Sequence, residues 1–477
     1  MGQRRKKWGD KKNINQKGEI MMDKKSFEKA LKAFKRILPP NGYSAILRCV
    51  KLEGNGEILK IAGTNGKICL TQEVPSDFSG TVCVTLKEVL SALAGISSND
   101  LLLEILADEG SGSRLKVSSS DGSSYTLGTF PPDEFPVIPS PEPAGEGTSI
   151  QTAVLRSALK RCFPFASDDT TRPYIHGVHM KVTPGAVRLE ATDGHRLIRD
   201  EEISAEGSMS ADFIAERSMV SALLDCICKE EGKVQIFLKG EHIIFRFGSG
   251  FILGKKPDCE FPPFDCVIPK DPVLTCLCDR QDLLSAVKQA TTIIHNGPRY
   301  RVPAELHFSK DTIKVSVSPA NSECIFSKSV WCSSNGSLTM GLHPRYLVDA
   351  LEALEGEGVV IELTDSISGV LIKEGGKIIV VMPIRLEYEV QPVIGDDPVN
   401  DEPLDAPRLE EPPETSPAEV LTVPEVLTVE AESAACVVMP IRQEHDTQPV
   451  FNPAPPIEEQ VEPQPMDMIT VEAESAA

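Results

Sequence analysis

The stretch Phe27-Glu28-Lys29-Ala30-Leu31-Lys32-Ala33-Phe34 sets the pattern on which the rest of the chain is built. Its apolar residues Phe27, Ala30, Leu31 and Phe34 stand at i, i+3, i+4 and i+7, one stripe of a helix with about 3.6 residues per turn. The same register returns 128 residues later as Leu155, Ala158, Leu159 and Cys162, and after a further 128 as Leu283, Ala286, Val287 and Ala290. Lys32, Lys160 and Lys288 hold one place in the three copies. A second helical segment follows in each, at Ser91-Ala92-Leu93, Ser221-Ala222-Leu223 and Asp349-Ala350-Leu351. Two copies also close alike, with Leu127-Gly128-x-x-Pro131-x-x-Glu134-Phe135-Pro136 matching Leu253-Gly254-x-x-Pro257-x-x-Glu260-Phe261-Pro262 at a step of 126.

Between these helices lie short runs of Val, Ile, Leu and aromatic residues, such as 58–62, 187–191, 243–247 and 313–317, bounded by Gly, Asn, Asp and Ser. Such runs predict strands. Each copy is therefore expected to be α+β, two helices packed on antiparallel sheet. A repeat far longer than the ~20–50 residues of a solenoid lets every copy bury its own core, and 477 residues exceed what one core usually holds. Three like domains are expected, at 18–146, 147–271 and 272–386. The breaks fall in Pro141-Glu142-Pro143-Ala144-Gly145 and Pro269-Lys270-Asp271-Pro272. Residues 1–17 form a basic extension without the apolar stretch of a secretory signal. Residues 387–477, rich in Pro, Glu and Asp with only Tyr388 and Phe451 as aromatics, are expected to be a disordered tail. The tail repeats Val380-Val381-Met382-Pro383-Ile384-Arg385 as Val437-Val438-Met439-Pro440-Ile441-Arg442.

A net charge of −21 taken whole argues against a nucleic-acid partner, but the tail alone carries 22 acidic residues and two arginines, a net of −20. The remainder is close to neutral, so composition does not exclude DNA. No apolar run approaches the ~18–20 residues of a membrane span, and the cytoplasm is the expected location. Most of the thirteen cysteines, in a chain without an export signal, are expected to be reduced core residues. Cys226/Cys228 and Cys276/Cys278 are C-x-C pairs that lack zinc-site spacing, so neither a metal nor a cofactor is expected.

The segment Ala191-Thr192-Asp193-Gly194-His195-Arg196-Leu197 in the middle copy resembles the signature of the bacterial DNA polymerase III beta subunit, or beta sliding clamp, family. Phe130-Pro131-x-x-Glu134-Phe135-Pro136, Leu363-Thr364-Asp365-Ser366 and Val381-Met382-Pro383-Ile384-Arg385-Leu386 match it in the same order, and the resemblance covers about residues 18–386. It implies a ring, a head-to-tail homodimer whose six similar domains surround double-stranded DNA without sequence preference. A head-to-tail contact closes into such a ring when its rotation allows. The family turns its helices inward, and here Lys25, Lys29, Lys32 and Arg36 form a stripe opposite the apolar one, joined by Arg156, Lys160 and Lys288 in the later copies. Such a face suits phosphates, although any one helix could carry these charges simply as its solvated side.

The resemblance further implies a pocket between the second and third domains, where the DNA polymerase III catalytic subunit, the clamp loader and other partners dock short peptide motifs. Matching positions are Ile175, Thr192, Gly194, His195, Arg196, Leu197, Pro262, Val267, Val380, Met382, Pro383, Ile384, Arg385 and Leu386. Taken singly, Ile175, Val267 and Val380 fit plain core equally well. Two features depart from the family. The chain continues for 91 residues past Leu386, and Pro39-Pro40-Asn41-Gly42-Tyr43 replaces a loop that often carries an arginine. Two rival readings remain. One is a clamp-like scaffold or regulator that does not load on DNA; the other is a hydrolase built on Asp193, His195 and a serine. The second is disfavoured, because in a strand-like run the i, i+2 pair shares a face with no nucleophile implied beside it. No catalytic residue is expected.

Overall fold

The structure, a computed structural model, describes residues 22–386 apart from 41, 109–111, 140–145, 228–230, 249, 294–301 and 319–323. The basic extension, the first domain break at 141–145 and the tail with its duplication lie outside the described residues.

The three repeated stripes form α1 (Lys24–Phe34), α3 (Thr152–Cys162) and α5 (Arg280–Thr291). Each buries the residues of the repeat: Phe27, Ala30, Leu31 and Phe34; Leu155, Ala158, Leu159 and Cys162; Leu283, Ala286, Val287 and Ala290. A large apolar side chain in such a place contributes about 1.5–3 kcal/mol. Asp23 and Asp279 begin α1 and α5 by accepting from the amides of Ser26 and Asp282, each at 2.8 Å. The second segments form α2 (Leu86–Gly95), α4 (Arg217–Cys226) and α6 (Pro344–Glu352). Seven of the eleven described cysteines are buried.

Every copy is built on two sets of four antiparallel strands, and in the third copy the two sets join where Leu274–Asp279 pairs with the end of Phe326–Ser334. In the first copy one sheet runs in the order Ser79–Thr85, Cys49–Asn55, Ile58–Thr64, Ile68–Pro75, and the other Met22–Asp23, Asp100–Asp108, Gly112–Ser118, Ser124–Gly128. The second and third copies repeat the plan, and this is how the copies join. Ile68–Pro75 pairs antiparallel with Gly250–Lys255 of the second copy, Thr71 opposite Phe251. Arg196–Arg199 pairs in the same way with Lys377–Val381 of the third, Leu197 opposite Val380. Two sheets thus run unbroken from one copy into the next.

The third such pairing is left open within the chain. Ser124–Gly128, which corresponds to Gly250–Lys255 and Lys377–Val381, pairs only with Gly112–Ser118 among the described residues. On the corresponding strand of the third copy, Phe326–Ser334, residues 326–331 pair only with Thr312–Val317 among the described residues. Trp331 is 77% exposed beside that edge.

Candidate functional site

The signature segment is a turn between two strands, Ala186–Thr192 and Arg196–Arg199, and not the continuous strand its sequence suggests. Asp193 makes the turn by accepting through Oδ1 from the amides of His195 at 2.9 Å and Arg196 at 3.1 Å. Thr192 Oγ1 accepts from the amide of Gly194 at 3.1 Å and donates to the Arg196 carbonyl at 2.7 Å. Gly194 has φ +90°, a conformation other residues adopt only with strain. The same turn recurs 128 residues earlier: Asn65 accepts from Lys67 and Ile68, and Thr64 accepts from Gly66. What distinguishes the second copy is therefore not the turn but the side chains it displays.

Arg196 points inward. Nε lies 3.0 Å from Asp193, Nη1 2.5 Å from Asp349 on α6, and Nη2 donates to the Pro164 carbonyl at 2.7 Å. Its guanidinium carbon is 4.9 Å from the Phe165 ring centre and 4.5 Å from that of Tyr346. These contacts make Arg196 a strut between the second and third copies, with its fork and its face both engaged inside the protein. Beside it the His195 ring stacks on Tyr346, centroids 6.1 Å apart, and Tyr346 stacks on His343 at 4.3 Å. The Met382 amide donates to the His195 carbonyl at 2.8 Å, tying the last strand to the turn.

Around this tie lies an apolar patch. Leu197, Leu371, Val380 and Phe264 form one buried cluster, with Phe261 and Ile268 packed against it. Val267, Met382 and Ile367 are exposed at 46%, 42% and 64%. The loop bearing Ile367 is shaped by Asp365, whose carboxyl is held below its usual range by the Ile367 amide and by the hydroxyl and amide of Ser368. Gly369 brings that loop against Val380 and Met382, since a Cβ there would lie 2.7 Å from Val380 Cγ1 and 3.3 Å from Met382 Sδ.

The structure thus brings His195, Leu197, Val380 and Met382 together, with Thr192 and Gly194 in the supporting turn, while exposed Val267 donates its amide to the carbonyl of Phe264 at 3.0 Å. Pro262 is half-buried on a different hollow, with His179 and Phe261. Ile175 is buried in the loop whose Arg172 approaches Gly194. Pro383 and Ile384 pair with Leu342 and Gly341, Leu386 packs over Gly341, and Arg385 is exposed. Sequence reading missed Tyr346, His343 and Ile367. Tyr346 precedes Asp349-Ala350-Leu351 by three residues and so shares a helix face with Asp349, a usable clue.

Among the basic residues, Lys32 pairs with Glu28 at 2.8 Å, Arg36 with Asp225 at 2.8 Å and Lys288 with Glu352 at 2.6 Å. Lys25, Lys29 and Lys160 have no ion-pair partner among the described residues, and Lys25 and Lys160 are exposed. Arg156 is half-buried.

Family models for the N-terminal, central and C-terminal domains of the DNA polymerase III beta subunit match residues 19–139, 149–263 and 265–384 in turn. The chain belongs to the DNA polymerase III beta subunit family. The beta sliding clamp of Pseudomonas aeruginosa is 28% identical over 351 residues, 72% of this chain and 92% of that one. A crystal structure of the P. aeruginosa beta subunit bound to griselimycin is 26% identical, with TM-score 0.68 over 77% of this chain and 99% of that one. The Thermotoga maritima beta subunit, 20% identical, shares the fold at TM-score 0.69 over the same shares. Beta subunits of this family are non-catalytic. In keeping with that, both oxygens of Asp193 are engaged in holding the turn and Arg196. No helix among the described residues is long and apolar enough to cross a membrane.

Proposed function

We infer that this beta subunit is a DNA sliding clamp. A ring of two chains encircles double-stranded DNA without reading its sequence and tethers the DNA polymerase III catalytic subunit, giving it processivity in the cytoplasm. The observation that carries this reading is the unfinished third joint. Two of three equivalent strand pairings are made within the chain, and the two edges of the third, 124–128 and 326–331, are left for another copy. A contact between unlike edges that repeats the internal rotation closes a ring, and exposed edges with apolar side chains such as Trp331 and Tyr125 call for a partner.

The apolar patch of Leu197, Val267, Ile367, Val380 and Met382 is the proposed docking site for short peptides of the polymerase, the clamp loader and other partners. Exposed Met and Ile over a buried apolar floor suit varied short ligands. Griselimycin is bound by the P. aeruginosa relative, and this patch is proposed to be where it would bind here, which makes it the probe of choice. Lys25, Lys29 and Lys160 are proposed to face the DNA.

Retention on DNA after loading by a clamp loader tests the ring. A clamp stays on nicked circles and slides off linear DNA of the same length; equal retention on both removes the ring and leaves a scaffold. Trp331→Glu should convert the two-chain species to a monomer, because it places a charge on the open edge.

A further inference from the structure

His179, on the strand Gly177–Thr183, is buried between two carboxylates. Its Nδ1 lies 2.9 Å from Glu190 Oε2 and its Nε2 2.7 Å from Asp212 Oδ1, on the strands to either side. A neutral imidazole has one N–H and one lone pair, so one of these contacts would set lone pair against lone pair. Both are satisfied only when both nitrogens carry protons. The Phe261 ring covers the imidazole face, centroids 4.4 Å apart and planes within 9°, an arrangement that favours a cation over the ring. Phe261 meets Phe264 edge-on at 5.1 Å, and Phe264 is buried with Leu197, Leu371 and Val380. Arg199 reinforces the same segment by bonding Glu190 Oε1 at 2.5 Å and Asp265 at 2.9 Å.

We propose that His179 is a positioning residue whose imidazolium holds Phe261 and the segment around it against the second copy's sheet, and so sets the floor on which the docked peptide rests. This rests on the docking reading above and deepens it. Among the described residues, only Glu190 and Asp212 are within hydrogen-bond reach of the ring. Lys181, Arg188, Lys256, Cys259 and Glu260 line the same hollow of about 560 Å³. Burial lowers the affinity of His179 for its second proton, but the hydrogen bonds and charges of Glu190 and Asp212 outweigh it, and the net pKa lies above the ordinary 6.5. The contribution of the cation is then complete below about 6.5 and is lost as pH rises through the higher folded value.

Histidine-selective NMR of the full chain, without ligand, tests the first half. The signal absent from His179→Gln should titrate above 6.5, with both ring nitrogens protonated below that midpoint, and the Phe264 ring signals should move with the same midpoint. A midpoint at or below 6.5, or Phe264 signals that ignore it, overturns the proposal. Griselimycin binding tests the second half: wild-type affinity should fall at least fivefold from pH 6 to pH 9, and that of His179→Gln should stay level. Binding to the wild type that is unchanged across this range overturns the role of His179 and leaves the docking site standing. No binding to the wild type at any pH overturns the docking site instead, and the claim that His179 holds Phe261 is then decided by the NMR titration.

Discussion

Arg196 Nη1 stands 2.5 Å from the carboxylate of Asp349, and this contact carries the signature turn of the second copy onto the last helix of the third. The arginine side chain is 7% exposed and the aspartate 32%. Asp349→Ala removes a partner from a buried charge, which costs about 3–5 kcal/mol when both groups are deep; the partial exposure of Asp349 brings the expected loss to about 1–3 kcal/mol. Denaturant unfolding measures it, and griselimycin affinity should fall alongside. A variant as stable as wild type would show that the Asp193 and Pro164 contacts hold Arg196 unaided.

Met382→Ala with Ile367→Ala should weaken griselimycin by roughly 2–4 kcal/mol, taking one or two for each exposed anchor. Titration calorimetry reads the change, and the two-chain mass should be unaltered because neither residue lies on the open edges. Undiminished affinity would move the docking site elsewhere.

Charge reversal divides the basic residues. Lys25, Lys29 and Lys160, without ion-pair partners among the described residues, should cost more DNA retention when changed to Glu than Lys32, Arg36 and Lys288, which already pair with Glu28, Asp225 and Glu352. The dependence of loading on salt should also flatten more for the first set, since each phosphate contact contributes a slope of about one. Equal losses from both sets would mean that the paired residues exchange partners on DNA.

Asp23 gives a pH-dependent test. Burial pushes its carboxyl up, but the hydroxyl and amide of Ser26 and the Asn99 amide hold the net pKa below 3.8. A depressed carboxylate stabilises the fold above its unfolded pKa and loses that contribution as pH falls through the folded one. Asp23→Ala should therefore cost about 1 kcal/mol at pH 7, and the gap between variant and wild type should begin to narrow as pH falls below 3.8 and close once pH is below the folded value. A gap that does not narrow as pH falls below 3.8 would point to packing and not to the cap.

Gly250→Ala probes the first joint. A Cβ at Gly250 would lie 2.0 Å from the Thr71 carbonyl oxygen, which is backbone in the partner strand and cannot swing aside. The strands must part, at a cost of roughly 1–3 kcal/mol, and thermal unfolding should separate into more than one step. A single unshifted transition would mean that the sheet absorbs the methyl group.

The architecture was legible wherever it was written as local period. The stripes of α1, α3 and α5 became the buried faces, because a helix repeats its environment every 3.6 residues and the chain repeats itself every 128. The candidate site was less legible because its contacts are not periodic. The signature places Arg196 among groove residues, yet its partners Tyr346 and Asp349 lie some 150 residues away and turn it inward. Ile367 and His343 carry no pattern of their own and emerge only from the fold. The joints were hidden for the same reason: nothing near Thr71 announces Phe251.

Those joints also set an order of assembly in time. Thr71 waits for Phe251, 180 residues further along the chain, and Leu197 waits for Val380, 183 further. At about 5–20 residues per second of synthesis, each edge stands open for roughly 9–37 s as the ribosome works toward its partner. An unpaired strand edge is a template for the wrong strand, and the nearest wrong strand is the equivalent one on a neighbouring nascent chain. Slowed elongation between the copies should therefore raise the yield of mispaired, aggregated chain more than the same delay placed inside a copy.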